Sequence, residues 1–145
     1  MKWLAFVFVV LISCTAKQNQ KLFDKTIEEK SIRQLLYAQV AAWNETNIDE
    51  FMKGYWKSDS IYFIGSKITA GWDSTLVRYK RSYPDAAAMG KLRFEILMMD
   101  FVSADACLVT GKYFLTREKD NPNGIFTLLF RKKNGTWLIV YDHTS

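Results

Sequence analysis

The only histidine of the chain, His143, lies in its last segment, Tyr141-Asp142-His143-Thr144-Ser145. An imidazole, with an unperturbed pKa of about 6.5, suits proton transfer at neutral pH. Asp142 beside it suggests an Asp-His pair. Strand alternation argues against that pairing, because successive side chains point to opposite faces. A uniform strand puts His143 with Tyr141, Ile139 and Trp137, and Asp142 with Val140 and Leu138. Asp142 therefore drops out as the histidine's partner, and His143 is expected to reach the interior. Ser145 shares the histidine's face but is the terminal residue, where fraying is expected, so a Ser-His nucleophile is not supported.

The other chemical resource is aromatic: 10 Phe, 5 Trp and 7 Tyr among 145 residues. Trp43, Tyr55, Trp72, Tyr79 and Tyr113 combine apolar bodies with polar tips, which suits a pocket for a small apolar or aromatic molecule. The competing reading is that these rings simply fill the domain's centre. With no glycine-rich phosphate loop, no Cys-x-x-Cys and no Gly-x-Ser-x-Gly, no cofactor is expected. One histidine also cannot build a multi-histidine metal site.

The first residues read differently. Lys2 precedes an apolar run from Trp3 to Ile12, too short for the roughly 20 residues of a bilayer span and typical of a signal peptide. Leu11-Ile12-Ser13-Cys14 resembles the bacterial lipobox, which implies cleavage after residue 13 and a lipid on Cys14. Residues 14–22 would then form a polar tether and 23–145 a single domain, long enough to bury its own core. No acidic cluster follows Cys14, so the expected place is the bacterial cell envelope, lipid-anchored and facing the periplasm. Cys107, left without an intramolecular partner, sits in an apolar stretch and reads as a buried structural thiol. The net charge of +5 is scattered, and with an export signal it argues against a nucleic-acid partner.

The elements follow from periodicity. Thr26-x-x-Glu29 fits a capping box, and Ile32, Leu35, Leu36, Val40 and Trp43 recur at helical spacing over about twenty residues. Asn47 or Asp49 can cap a second helix that buries Ile48, Phe51, Met52, Tyr55 and Trp56. Short β-prone runs follow at 60–64 and 68–70, then a helical stretch from Gly71 to about Tyr83, ended by Pro84. Four longer strands are expected at 91–99, 106–116, 125–131 and 136–143, with turn signals at Asp120–Gly124 and Lys133-Asn134-Gly135. Helices first and hairpins after give an α+β domain with helices on one face of a curved, mostly antiparallel sheet.

The order of these features resembles a known family. It runs through Trp43-Asn44, Asp49 with Phe51, Tyr55 and Asp59, Gly65 and Gly71, Tyr79 and Tyr83, and Gly90-x-Leu92-x-Phe94. It continues with Asp105-Ala106, Gly111, Gly124-x-Phe126-Thr127-Leu128, Gly135-x-Trp137 and Asp142-His143-Thr144-Ser145. From about Ile27 to Ser145 this is similar to the SnoaL-like, domain-of-unknown-function 4440 type of the nuclear transport factor 2-like superfamily. The resemblance implies a cystatin-like cone with a pocket at its open end, and homodimers formed through the outer face of the sheet.

Members of that superfamily include isomerases, dehydratases, hydrolases, cyclases and non-catalytic proteins, so function does not follow from fold. Ketosteroid isomerase carries its base aspartate on the first strand after the helices. The matching stretch, Ser60 to Gly65, holds no carboxylate. The expectation is a lipid-anchored domain that binds a small apolar or aromatic molecule. The alternative is an isomerase-, cyclase- or lyase-type enzyme with His143 as general acid/base and Tyr55, Tyr79 or Tyr113 donating to an oxyanion.

Overall fold

A computed structural model describes residues 23–145. The expected signal peptide, the tether and Cys14 lie outside the described residues.

Helix α1 (Lys25–Asn44) is capped by Asp24, whose carboxylate accepts from the Thr26 and Ile27 amides, so the cap lies two residues before the expected Thr26. Its inner stripe buries Ile32, Leu36, Gln39, Ala42 and Trp43. Asn47 caps the short α2 (Ile48–Met52), accepting from the Glu50 amide. Strands β1 (Tyr62–Ile64) and β2 (Ile68–Ala70) form a small hairpin that leads into α3 (Trp72–Ser82). A further turn of helix, α4 (Ala86–Met89), was not legible as a period because it is four residues long.

Four long strands complete the chain: β3 (Lys91–Ser103), β4 (Ala106–Thr116), β5 (Asn123–Lys133) and β6 (Thr136–Thr144). Asn134 and Gly135, with φ of 49° and 82°, close the β5–β6 hairpin in the left-handed region that Asn-Gly favours. The sheet order is β2-β1-β6-β5-β4-β3, antiparallel throughout except for the parallel β1–β6 pair. Helices cover one face, and the core sits between α1 and the inner face of β4, β5 and β6. Among the described residues no helix is long and apolar enough to cross a membrane.

Two register shifts in β3 and one between β5 and β6 break the strict alternation. The last is decisive. Leu129 faces Tyr141 while the next residue, Phe130, faces Ile139, so Val140 is an extra residue bulged out of the ladder. Before it, Trp137 and Ile139 are buried; after it, Asp142 is buried and Tyr141 and His143 are exposed. The cause lies on β6's other edge. Its first half pairs with the loop after α2, through Ile139 N–H to Gly54 O (2.9 Å) and Trp56 N–H to Ile139 O (2.9 Å). Its second half pairs with β1, Tyr62–Ile64 against Tyr141–His143. Val140 lies at the changeover.

Candidate functional site

A cavity of about 230 Å³ lies between α1, α3 and the inner face of the sheet, reaching the rim at Arg117 and Pro122. The rings line a space rather than filling the cone. That volume is below the roughly 300–1,000 Å³ of drug-sized pockets, so a single-ring molecule is the right scale.

The Gly54–Trp56 pairing with β6 sets Tyr55 beside Asp142, and the Tyr55 hydroxyl donates to the Asp142 carboxylate at 2.8 Å. Thr144, two residues along the same face of β6, donates to the other carboxylate oxygen at 2.7 Å. Gln39 approaches from α1, with its amide held on the Phe51 carbonyl at 3.1 Å. It packs so closely over Gly54 that a Cβ there would sit 2.6 Å from its amide nitrogen. Burial raises the pKa of Asp142, against the hydrogen bonds from Thr144 and Tyr55 and the positive charge of Arg78, which favour the ionised form. Tyr55 is also pushed up, first by burial and then by the Asp142 charge, and Tyr79 in the same direction by the same two causes. The pocket floor is thus a carboxyl group and two hydroxyls whose charged forms are all disfavoured.

The walls are held by backbone anchors. Trp43 donates its indole N–H to the Met89 carbonyl at 3.1 Å, and its ring meets Tyr83 edge-on with centroids 4.8 Å apart. Asn44 clamps the start of β3, accepting from Leu92 N–H at 2.7 Å and donating to Leu92 O at 3.1 Å. Gly111 leaves room for Phe126, whose ring would lie 2.4 Å from a Cβ at that position. At the rim Arg117 holds both oxygens of Asp120, at 2.6 and 2.9 Å, and donates to Ala88 O at 3.0 Å, which ties the β4–β5 loop to α4.

Of the residues singled out in the sequence, Trp43, Tyr55, Tyr79 and Tyr113 all line this cavity. Trp72 does not. Its indole N–H bonds the Met52 carbonyl at 3.0 Å and its ring lies under Lys57, so it fastens α3 to α2. His143 does not either: it is exposed on the outer face and paired across from Thr127 and Ile64. The expectation that His143 faces the cone is corrected by the Val140 bulge, which exchanges the faces of every residue after it. Asp142, which alternation had set aside, is the residue that faces inward. Within Leu138-Ile139-Val140-Tyr141 no polar residue marks a face, so nothing local betrayed the slip; the spacing of Asp142 and Thr144 was the one available hint. Cys107 is a fully buried free thiol, its pKa pushed up to about 11 mainly by burial. Among the described residues no cluster of His, Cys, Asp and Glu could hold a metal ion.

Comparison with known proteins places this geometry in a family. The SnoaL-like domain family matches residues 32–145. An NTF-2 like protein of unknown function from Shewanella oneidensis MR-1 is 41% identical, with a TM-score of 0.79 over 81% of this chain and 98% of that one. A domain of unknown function with a cystatin-like fold from Nostoc punctiforme PCC 73102 is 17% identical (TM-score 0.70, 84% of this chain and 78% of that one). A ketosteroid isomerase-like protein from Erwinia carotovora atroseptica SCRI1043 is 21% identical (TM-score 0.63, 81% and 95%); these last two likenesses speak for the fold alone. No curated protein matches the chain. With a cystatin-like cone, an aromatic cavity at its open end and a family match reaching the final residue, the chain belongs to the SnoaL-like domain family of the nuclear transport factor 2-like superfamily.

Proposed function

We propose that the cone binds a small, mostly apolar or aromatic molecule, held by ring contacts and oriented by one polar handle. The observation that carries this reading is the aromatic cavity with Asp142 and Tyr55 bonded at its floor. Rings supply most of the binding area and the buried polar pair supplies orientation, the usual division of labour in small-molecule sites. The test is mass spectrometry of molecules released from the purified protein, together with tryptophan emission during titration with single-ring compounds. Trp43 in the wall provides the signal. A protein that releases nothing and responds to none of the compounds would overturn the reading.

A second reading, proton transfer on a bound substrate, is favoured by one observation. Asp142 is a buried carboxyl with a raised pKa and an adjacent tyrosine hydroxyl, a combination suited to general acid/base work. In this version Asp142 takes the part first considered for His143. Turnover that survives Asp142→Asn unchanged would remove it.

The remaining proposals concern setting. The closer affiliation is with the domain-of-unknown-function 4440 type, on the order of motifs ending in Trp137-x-Ile139-x-x-x-His143. The domain is a lipoprotein tethered through Cys14 in the bacterial envelope and facing the periplasm; Cys14→Ser should release it from membranes, and continued membrane association would contradict the anchor. A homodimer through the outer sheet face is supported by exposed Leu97, Met98, Leu108, Ile125 and Tyr141. Light scattering of the wild type beside Leu108→Lys tests that interface.

A further inference from the structure

We infer that the occupant of the cavity is a small organic cation, an amine on an aromatic or alicyclic ring, with its ammonium group on Asp142. The inference rests on the small-molecule reading above and names the chemical class. Among the described residues that line the cavity, Asp142 is the only carboxylic acid and Arg117 the only basic side chain. Arg117 is already committed to both oxygens of Asp120 and to the Ala88 carbonyl, so it leaves no free cation to receive an anion. Asp142 makes no ion pair among the described residues.

The groups around Asp142 come from three elements: Tyr55 after α2, Tyr79 and Arg78 on α3, and Thr144 and the outward His143 on β6. Arg78 and His143 act on it only through space, and its two hydrogen-bond donors are neutral hydroxyls. Each carboxylate oxygen accepts one of those hydroxyls, the arrangement that suits the ionised form. A carboxylate has about four acceptor sites, so two stay open. A buried carboxylate without a cation is strongly disfavoured and takes up a proton instead. Burial favours the protonated carboxyl where no cation is bound to it, and an ammonium group can take that proton's place while donating to the open sites. The rings of Trp43, Tyr79, Tyr83, Phe94, Tyr113 and Phe126 line the same space, and the negative face of an aromatic ring attracts a desolvated cation.

The experiment is isothermal calorimetry of the full chain with three probes of one skeleton: phenethylamine, 2-phenylethanol and phenylacetate. Phenethylamine is expected to bind roughly tenfold or more tighter than 2-phenylethanol, with phenylacetate weakest. Asp142→Asn should narrow the gap between amine and alcohol, and if that variant does not fold, the wild-type ranking decides alone. Equal affinity of amine and alcohol, or preference for the carboxylate, overturns the cation assignment and leaves the pocket reading standing. Absence of binding by all three to a protein with an intact melting transition overturns both.

Discussion

The two ends of the cone use the same sheet face for opposite purposes. At the closed end Phe130, Val109, Cys107, Ile32 and Leu36 are sealed at 0–1% exposure. At the open end Tyr79, Tyr83, Phe94 and Tyr113 are only partly buried and line the cavity. Phe130 packs tightly among the aliphatic side chains of the closed end, whereas the rings at the open end leave a space between them. β6 runs through both regions, with Trp137 and Ile139 in the packed end and Asp142 and Thr144 at the cavity. Val140, the bulged residue between them, is the boundary.

The contrast can be broken most strongly at the closed end. Phe130→Ala should destabilise the fold by about 3–5 kcal/mol, since the space it leaves cannot collapse in a packed core; urea denaturation measures it, and a loss below about 1 kcal/mol would deny that this end is the tight one. At the open end Tyr55→Phe leaves the ring in place but removes the donor to Asp142. A smaller cost of about 1–3 kcal/mol is expected, together with altered ligand affinity in calorimetry. No change in either would make the Tyr55–Asp142 bond incidental.

The pH dependence sharpens the same comparison. Asp142 has a raised pKa in the folded protein, so the folded state holds its proton where the unfolded chain has lost it. Its stabilising contribution is complete below the ordinary carboxylate range and falls away as pH rises through the folded-state pKa. Wild-type stability should therefore decline relative to Asp142→Asn as pH rises from about 4 towards neutrality. Asp105, lowered by Ser103 and Arg131, titrates in both proteins and cancels in the difference. A difference that is flat or rises with pH would contradict a buried carboxyl held by neutral hydroxyls without an ion pair. The smallest effect belongs to His143→Gln, an exposed change on the outer face, which should shift stability by about 0.5 kcal/mol or less and leave ligand affinity unchanged. A large loss in binding there would return His143 to the site.

Much of the fold was legible. Of the two candidates Asn47 and Asp49, Asn47 caps α2, Asn134-Gly135 was read as a turn and closes β5–β6, and the bounds of β2 and β4 agree residue for residue. Such features are short-range, set by a side chain's bond to a nearby amide or by a left-handed turn. Asp24 displaced Thr26 as the α1 cap because two competent capping residues lay within one turn. α4 escaped because four residues hold no period. In the site, four of the five chosen aromatics line the cavity, since their size and spacing already marked them as inward. Trp72 left the set because its indole found a backbone carbonyl on a different element.

The sequence by itself determined the helices-then-hairpins order and the aromatic wealth of the interior. It could not determine which of two adjacent residues, Asp142 or His143, enters the cone. Alternation is a local rule, and its phase is reset wherever a strand must satisfy two different neighbours. β6 pairs with Gly54–Trp56 on one side of Val140 and with β1 on the other. Those partners are about eighty residues away in sequence and meet β6 only in the folded chain, so the bulge, and with it the acid at the floor of the pocket, is a decision of the tertiary structure.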